Sequence, residues 1–206
     1  MKIKIKISRK PVEYLKAIKY LENRVKLIQR QKEEELLWIC NHPSTYTAGV
    51  SSNKYEILDK NINVIKTNRG GKITWHGPGQ KIFYFVIDLS KRDKDIRKFV
   101  KIIENIILDT LKEYKINAFA DRKNVGIWVQ KKSKILKLAA IGIKVKKWIA
   151  YHGFSINIDN DLQKYKKIIP CGIRNRGVTN LLEIKKQNFK NFDNIIIKNF
   201  LRYLKS

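Results

Sequence analysis

Residues 82–89, IFYFVIDL, form an unbroken apolar run that follows the turn residues Gly77-Pro78-Gly79. Eight apolar-dominated residues are too few to cross a bilayer, and such a run leaves neither face suited to water. It reads as a buried strand. That strand commits the chain to a sheet with other elements packed on it. Residues 2–7, KIKIKI, alternate strictly and predict a half-buried strand, and residues 35–40, ELLWIC, predict another. Three more strand candidates follow at 125–130, 135–143 and 149–158. Pro11 suits the first turn of a helix, and Leu15, Ile18, Leu21, Val25 and Ile28 then recur at helical spacing. Ile96 to Tyr114 is a second amphipathic helix, and Phe192 to Tyr203 a closing one. The fold class that follows is mixed α/β (α+β): one large mixed sheet flanked by helices, in a single domain over residues 1–206 that is long enough to bury its own core.

Composition narrows the class. No apolar run is long enough for a membrane span, and the N-terminal MKIKIKISRKPVEY lacks the apolar region of a signal peptide. Two cysteines, Cys40 and Cys171, make no disulfide framework, so the expectation is a soluble cytoplasmic protein with free thiols. The net charge of +27 has two readings. One is a polyanionic partner. The other is drift in an A/T-rich genome, because lysine, isoleucine and asparagine are abundant and the basic residues are spread along the whole chain. Drift ranks first as the cause, and the resulting field attracts acidic partners in either case. No clustered basic helix marks a specific nucleic-acid site.

Three segments carry candidate chemistry. Residues 67–80, TNRGGKITWHGPGQ, join Arg69 to Gly70-Gly71, whose backbone can approach a ligand closely, and to the rigid turn after His76. Neither the phosphate-loop nor the dinucleotide glycine pattern is present. Taken alone, this segment reads slightly better as a glycine-rich hairpin without a ligand. In the second, residues 135–157, Lys137 lies in an apolar strand pattern ahead of Ala139, Ala140 and Gly142. Such a lysine more often snorkels to the surface. Buried, it would stabilise a neighbouring anion. His152-Gly153 could line a pocket, though a lone histidine is more often structural. The third, KKIIPCGIRNRGVTNLL, sets Cys171 between a proline and a glycine. Cys40 ends an apolar strand and fits a small buried hydrophobe, whereas Cys171 sits among turn formers. An exposed thiol beside a cation becomes a nucleophile. Three histidines and two scattered cysteines give no zinc spacing.

Taken together these blocks resemble the lipoyl(octanoyl) transferase family, also called lipoate-protein ligase B. The similarity runs from His42-Pro43 with Tyr46-Thr47 and Gly49, through RGGKITWHGPGQ, Asn124 to Val129, KLAAIG and YHGFSINI, to IIPCGIRNRGVTNL. It implies the fold of the biotin/lipoate protein ligase catalytic domain. It also implies transfer of an octanoyl group from octanoyl-acyl carrier protein to a lysine of lipoyl domains, in 2-oxoacid dehydrogenase E2 subunits and the glycine cleavage H protein. By the same similarity Cys171 would carry the acyl group as a thioester. Lys137 would favour the thiolate and act as general acid and base. Arg69, Gly70, Gly71, Lys72, Ile73, Thr74, Trp75, His76, Ala140, Ile141, Gly142, Gly153, Phe154 and Ser155 would line the substrate pocket. Thioester to amide runs downhill, so no cofactor and no metal is expected. A monomer is the default expectation, with neither nucleic acid nor membrane as partner. An ATP-dependent lipoate or biotin ligase on the same fold is the alternative, and a basic nucleic-acid-binding protein a more distant one.

Overall fold

The computed structural model describes residues 2–173 and 176–205, with Cys171 and Lys205 through their backbone alone. Strand β1 (Ile3–Ile7) leads into helix α1 (Tyr14–Gln29), then β2 (Glu35–Cys40), β3 (Thr45–Ala48), β4 (Val64–Lys66), β5 (Ile73–His76) and β6 (Gln80–Asp88). Helix α2 (Ile96–Glu113) precedes β7 (Phe119–Ala120), β8 (Ile127–Lys131), β9 (Lys134–Lys146) and β10 (Ile149–Asn157). After β11 (Gly177–Val178) come the one-turn α3 (Leu181–Ile184) and α4 (Phe192–Lys205).

The described strands make two sheets. The large one runs β1-β2-β6-β10-β9-β8-β7, with β11 added alongside β9. β1 pairs parallel to β2 and β11 parallel to β9, and the other pairs are antiparallel. β6 lies inside this sheet, as its apolar run requires. Its odd-numbered Phe83, Phe85 and Ile87 pack with Phe99, Ile103 and Ile107 of α2 and Phe192, Ile196 and Phe200 of α4. Its even-numbered Ile82, Tyr84 and Val86 meet Leu21 and Val25 of α1 on the other face. A two-residue strand period feeding two helical layers is therefore the organising rule of the core. α2 starts where Asp95 accepts from the Lys98 N–H, and a buried bond from Asn199 Nδ2 to Thr110 Oγ1 (3.0 Å) ties it to α4.

Two details of the helix α1 reading change. Pro11 lies ahead of the helix, which begins at Tyr14, because the Val12 N–H is held by Asn41 O. The buried stripe is Tyr14, Ala17, Leu21, Val25 and Ile28, while Leu15 is 61% exposed. The second sheet, β4-β3-β5, stands on segments for which the sequence predicts no strand. Among the described residues no helix is long and apolar enough to cross a membrane.

Candidate active site

The small sheet leans over the α1 side of the large one, and a cleft of about 520 Å³ opens between them. β5 explains which of its residues face the cleft. Thr74 and His76 line it, whereas Ile73 and Trp75 alternate to the opposite face and pack with Tyr46, Tyr165 and Ile168. Ile73 and Trp75 are thus corrected from cleft lining to small-sheet core. Trp75 is further fixed by its Nε1–H donating to Ser44 Oγ at 2.9 Å.

The other predicted lining residues come together. Arg69, Gly70, Gly71 and Lys72 form one wall, Ala140, Ile141 and Gly142 of β9 another, and Gly153, Phe154 and Ser155 of β10 the floor. Arg69 donates to Thr47 O (2.8 Å), Thr47 Oγ1 (2.9 Å) and Gly70 O (3.0 Å), so its guanidinium is a fixed strut of the wall. A Cβ on Gly49 would lie 2.8 Å from the Arg69 guanidinium and 2.3 Å from Gly71 O, which accounts for the glycine there.

Lys137 is buried, 7% exposed, rather than snorkelling. Its ammonium donates to Val125 O at 3.0 Å and lies 5.1 Å from the Trp128 ring centre. Gly126 makes the room: its φ is +138°, and a Cβ would meet Lys137 Cε at 2.6 Å. A narrow recess shares Thr74, Ala140 and Ser155 with the cleft and continues to Lys137 and Pro170.

Pro170–Gly172 is a single 3₁₀ turn. The Cys171 side chain lies outside the described residues, so its distance from Lys137 is not part of this geometry. The segment is anchored on both sides. Before it, the Ile169 N–H donates to Glu56 O at 2.7 Å. After it, Gly177 and Val178 pair with Leu136 and Lys137, and the Thr179 N–H donates to Lys137 O at 2.9 Å. Arg176 binds the Asp121 carboxylate and stacks 4.8 Å from the Trp128 ring centre. That guanidinium, with the Asn124 side chain and nearby backbone N–H groups, holds the Asp121 carboxyl well below the usual carboxylate range.

Sequence reasoning missed an aromatic and histidine cluster at the closed end of the cleft. Tyr14, Ile82, Tyr84 and His152 line it, and His42 stands behind. His42 donates from Nδ1 to Val12 O at 2.5 Å, so its Nε2 accepts from Tyr84 Oη–H at 2.8 Å. Tyr14 stacks on His76, whose Nδ1–H donates to Gln80 Oε1 at 2.7 Å. Gln80 Nε2 in turn reaches Asn157 Oδ1 and Tyr165 Oη, both at 2.9 Å. Burial first, then the His42 and Arg69 charges, pushes His76 down to about 3. Burial also lowers His42, and burial with Arg69 takes His152 to about 3. All three histidines of the chain are neutral here at ordinary pH. His76 was expected in the pocket and His152 read as structural; neither reading, nor the place of His42 beside Pro43, signalled that the three rings meet Tyr14 and Tyr84. No cluster of three or more metal-ligating groups occurs among the described residues.

The lipoyl protein ligase A/B catalytic-domain model matches residues 13–201. An octanoyltransferase from Anaplasma phagocytophilum is 42% identical across 98% of this chain and 99% of its own length. The chain belongs to this lipoyl protein ligase A/B family, and it is an acyltransferase of the octanoyltransferase type. A second octanoyltransferase, from Bartonella bacilliformis, is 43% identical over 87% of this chain and 78% of its own. In three dimensions the chain superposes on a lipoate protein ligase of Thermoplasma acidophilum with bound lipoic acid. The TM-score is 0.75 at 18% identity, over all of this chain and 87% of that one, which establishes the shared fold.

Proposed function

We propose that this enzyme carries an octanoyl group from octanoyl-acyl carrier protein to a lysine of a lipoyl domain through a thioester on Cys171. The observation that carries the reading is the buried ammonium of Lys137, held at the end of a recess that reaches the Pro170 turn. A buried ammonium at the cysteine turn is placed to stabilise a thiolate and to move a proton.

The Cys171 thiolate attacks the donor carbonyl. The new C–S bond forms as the carrier's C–S bond breaks, and the departing carrier thiolate takes up a proton. The acceptor amine then attacks the Cys171 thioester carbonyl. A C–N bond forms, the C–S bond to Cys171 breaks, and Lys137, left neutral by giving its proton to the departing carrier thiolate, takes up the amine's proton beside the regenerated Cys171 thiolate. Thioester energy drives the amide. Arg69 to Lys72, Thr74 and His76 line one side of the acyl site, and Ala140 to Gly142 with Gly153 to Ser155 the other. Ile82, Ile141 and Phe154 give the chain an apolar bed. Lipoyl domains are the acceptors, and the cytoplasm is the compartment where carrier and acceptor meet.

Intact mass after mixing with octanoyl-acyl carrier protein tests this. A hydroxylamine-labile octanoyl adduct is expected on the wild type and not on Cys171→Ser. An adduct that persists in Cys171→Ser, or transfer that demands ATP and free octanoic acid, overturns the thioester route.

A further inference from the structure

The small sheet has a second face, away from the cleft. A groove there is floored by Ile57, Ile62, Val64 and Ile73 and bordered by Lys54, Lys60 and Lys66. The groove is open to solvent, and about 1440 Å³ of space lies within and above it. Beside it Val50 is 68% exposed, Tyr55 80% and Leu58 58%, three large apolar side chains on one nine-residue segment. Large apolar side chains left in water near an apolar groove are the mark of an interaction site.

Charge names the occupant. Lys54, Lys60 and Lys66 are exposed and meet no carboxylate among the described residues. The two acids nearby are engaged elsewhere: Glu56 with Lys72 at 3.1 Å and Asp59 with Lys167 at 2.9 Å. An apolar floor inside a ring of unpaired cations complements an acidic, amphipathic protein surface.

Position selects between the two proteins of the reaction. Ile57 bridges to Ile168, three residues before Cys171, so the groove wall and Cys171 are separated by one strand pairing of about 5 Å and at most about 11 Å of backbone. The groove itself opens on the opposite side of the Arg69–Lys72 wall from the cleft. An acceptor lysine reaches on a four-carbon stem, so its domain must sit over the sulfur. An acyl group on a long prosthetic arm can be threaded around the wall while its carrier docks to one side. We infer that this lysine-rimmed groove is the docking surface for the acidic carrier protein that delivers the acyl group. The inference rests on the octanoyl-transfer reading above.

The test compares the wild-type chain with Lys54→Glu/Lys60→Glu/Lys66→Glu. Kd for octanoyl-acyl carrier protein is measured by calorimetry, and transfer is measured from that donor and from octanoyl-pantetheine, which lacks the carrier. The variant should bind the carrier at least tenfold more weakly and raise its KM to match. Transfer from octanoyl-pantetheine and the KM for the lipoyl domain should stay unchanged. On the wild type, carrier binding should weaken steeply with added salt, a measurement that needs no variant. An unchanged Kd in the variant, or a KM effect confined to the lipoyl domain, overturns the inference. A wild type that binds the carrier through these lysines but transfers nothing would leave the surface standing and sink the reaction.

Discussion

The two sheets are held together by different means. In the large sheet, β6 is apolar on both faces, and two helices cover one face while α1 covers the other. In the small sheet the strands are three or four residues long, and one face of β5 serves the cleft while the other serves a local core. Polar bonds hold it: Tyr46 Oη donates to Lys164 O at 2.9 Å, Trp75 Nε1–H donates to Ser44 Oγ at 2.9 Å, and His76 Nδ1–H donates to Gln80 Oε1 of β6 at 2.7 Å. Burial of continuous apolar area makes the scaffold, and short strands fixed by specific bonds make the wall that must match a substrate.

The largest effect should come from cutting each core once. Phe85→Ala removes a fully buried ring from the large sheet and should lower global stability by about 3–5 kcal/mol, read by chemical denaturation. Trp75→Ala empties a comparable volume in the small sheet. Its global loss should be smaller, with faster hydrogen exchange at Ile73–His76 and retained protection in Gln80–Asp88. Equal global losses, with both strands exposed together, would show one cooperative unit and erase the distinction.

The same contrast explains what the sequence revealed. β2, β6 and β10 and the helices α2 and α4 were readable to within two residues or so, because length and apolar periodicity accumulate signal over many positions. β3 and β5 were not read as strands. Each is four residues long, and although TYTA and ITWH both alternate polar with apolar residues, four positions set among glycine, proline and serine are too few to register as a strand. The side chains that stabilise them, Ser44 for Trp75 and Lys164 O for Tyr46, are chosen by the tertiary fold. At the site, Lys137 was singled out because a charge inside an apolar strand violates a local rule. Tyr14, Tyr84 and His42 violate none, and their convergence arises only when α1, β6 and the segment after β2 meet.

The joint between the small sheet and the cysteine turn comes next in size. Glu56 is buried, accepts from the Ile73 N–H at 3.4 Å, pairs with Lys72, and offers its backbone oxygen to Ile169. A Cβ on Gly172 would lie 2.4 Å from the Lys72 ammonium and 2.9 Å from the Glu56 carboxylate, so this ion pair sits directly against the turn. Glu56→Gln keeps the volume and removes the charge. Lys72 is 42% exposed and can turn to water, so the stability loss should be only about 1 kcal/mol. The uncompensated cation beside Gly172 should favour the Cys171 thiolate and speed its alkylation by iodoacetamide several-fold at neutral pH. Cys40 will not interfere, because burial pushes its thiol up to about 12. An alkylation rate equal to the wild type's would show that the Glu56–Lys72 pair acts on the sheet alone.

The smallest effect lies on the large sheet, at the one place where it departs from its own rule. Successive strand residues point to opposite faces, yet the rings of Tyr151 and His152 stack at 4.7 Å. The φ of +72° at His152 turns its ring toward the cleft, where Nε2–H donates to Asn68 Oδ1 at 2.8 Å. Gly153 follows at φ +159° because a Cβ there would fall 1.9 Å from Phe83 O. His152→Gly relieves left-handed strain of about 1–3 kcal/mol. It also loses the stacking and the hydrogen bond, and it frees the unfolded chain. Above pH 6.5 these opposing contributions should leave stability within about 1 kcal/mol of the wild type. Below that pH the balance shifts. The unfolded histidine takes a proton near 6.5 while the folded one resists until about 3, so the wild type loses stability across that interval and the glycine variant is spared this share. Melting temperatures of the two proteins should therefore diverge in favour of His152→Gly as pH falls from 6.5 toward 3. A difference that stays constant with pH would mean that His152 is charged in the folded protein, and that the small sheet and its cleft are wetter than the large sheet's core.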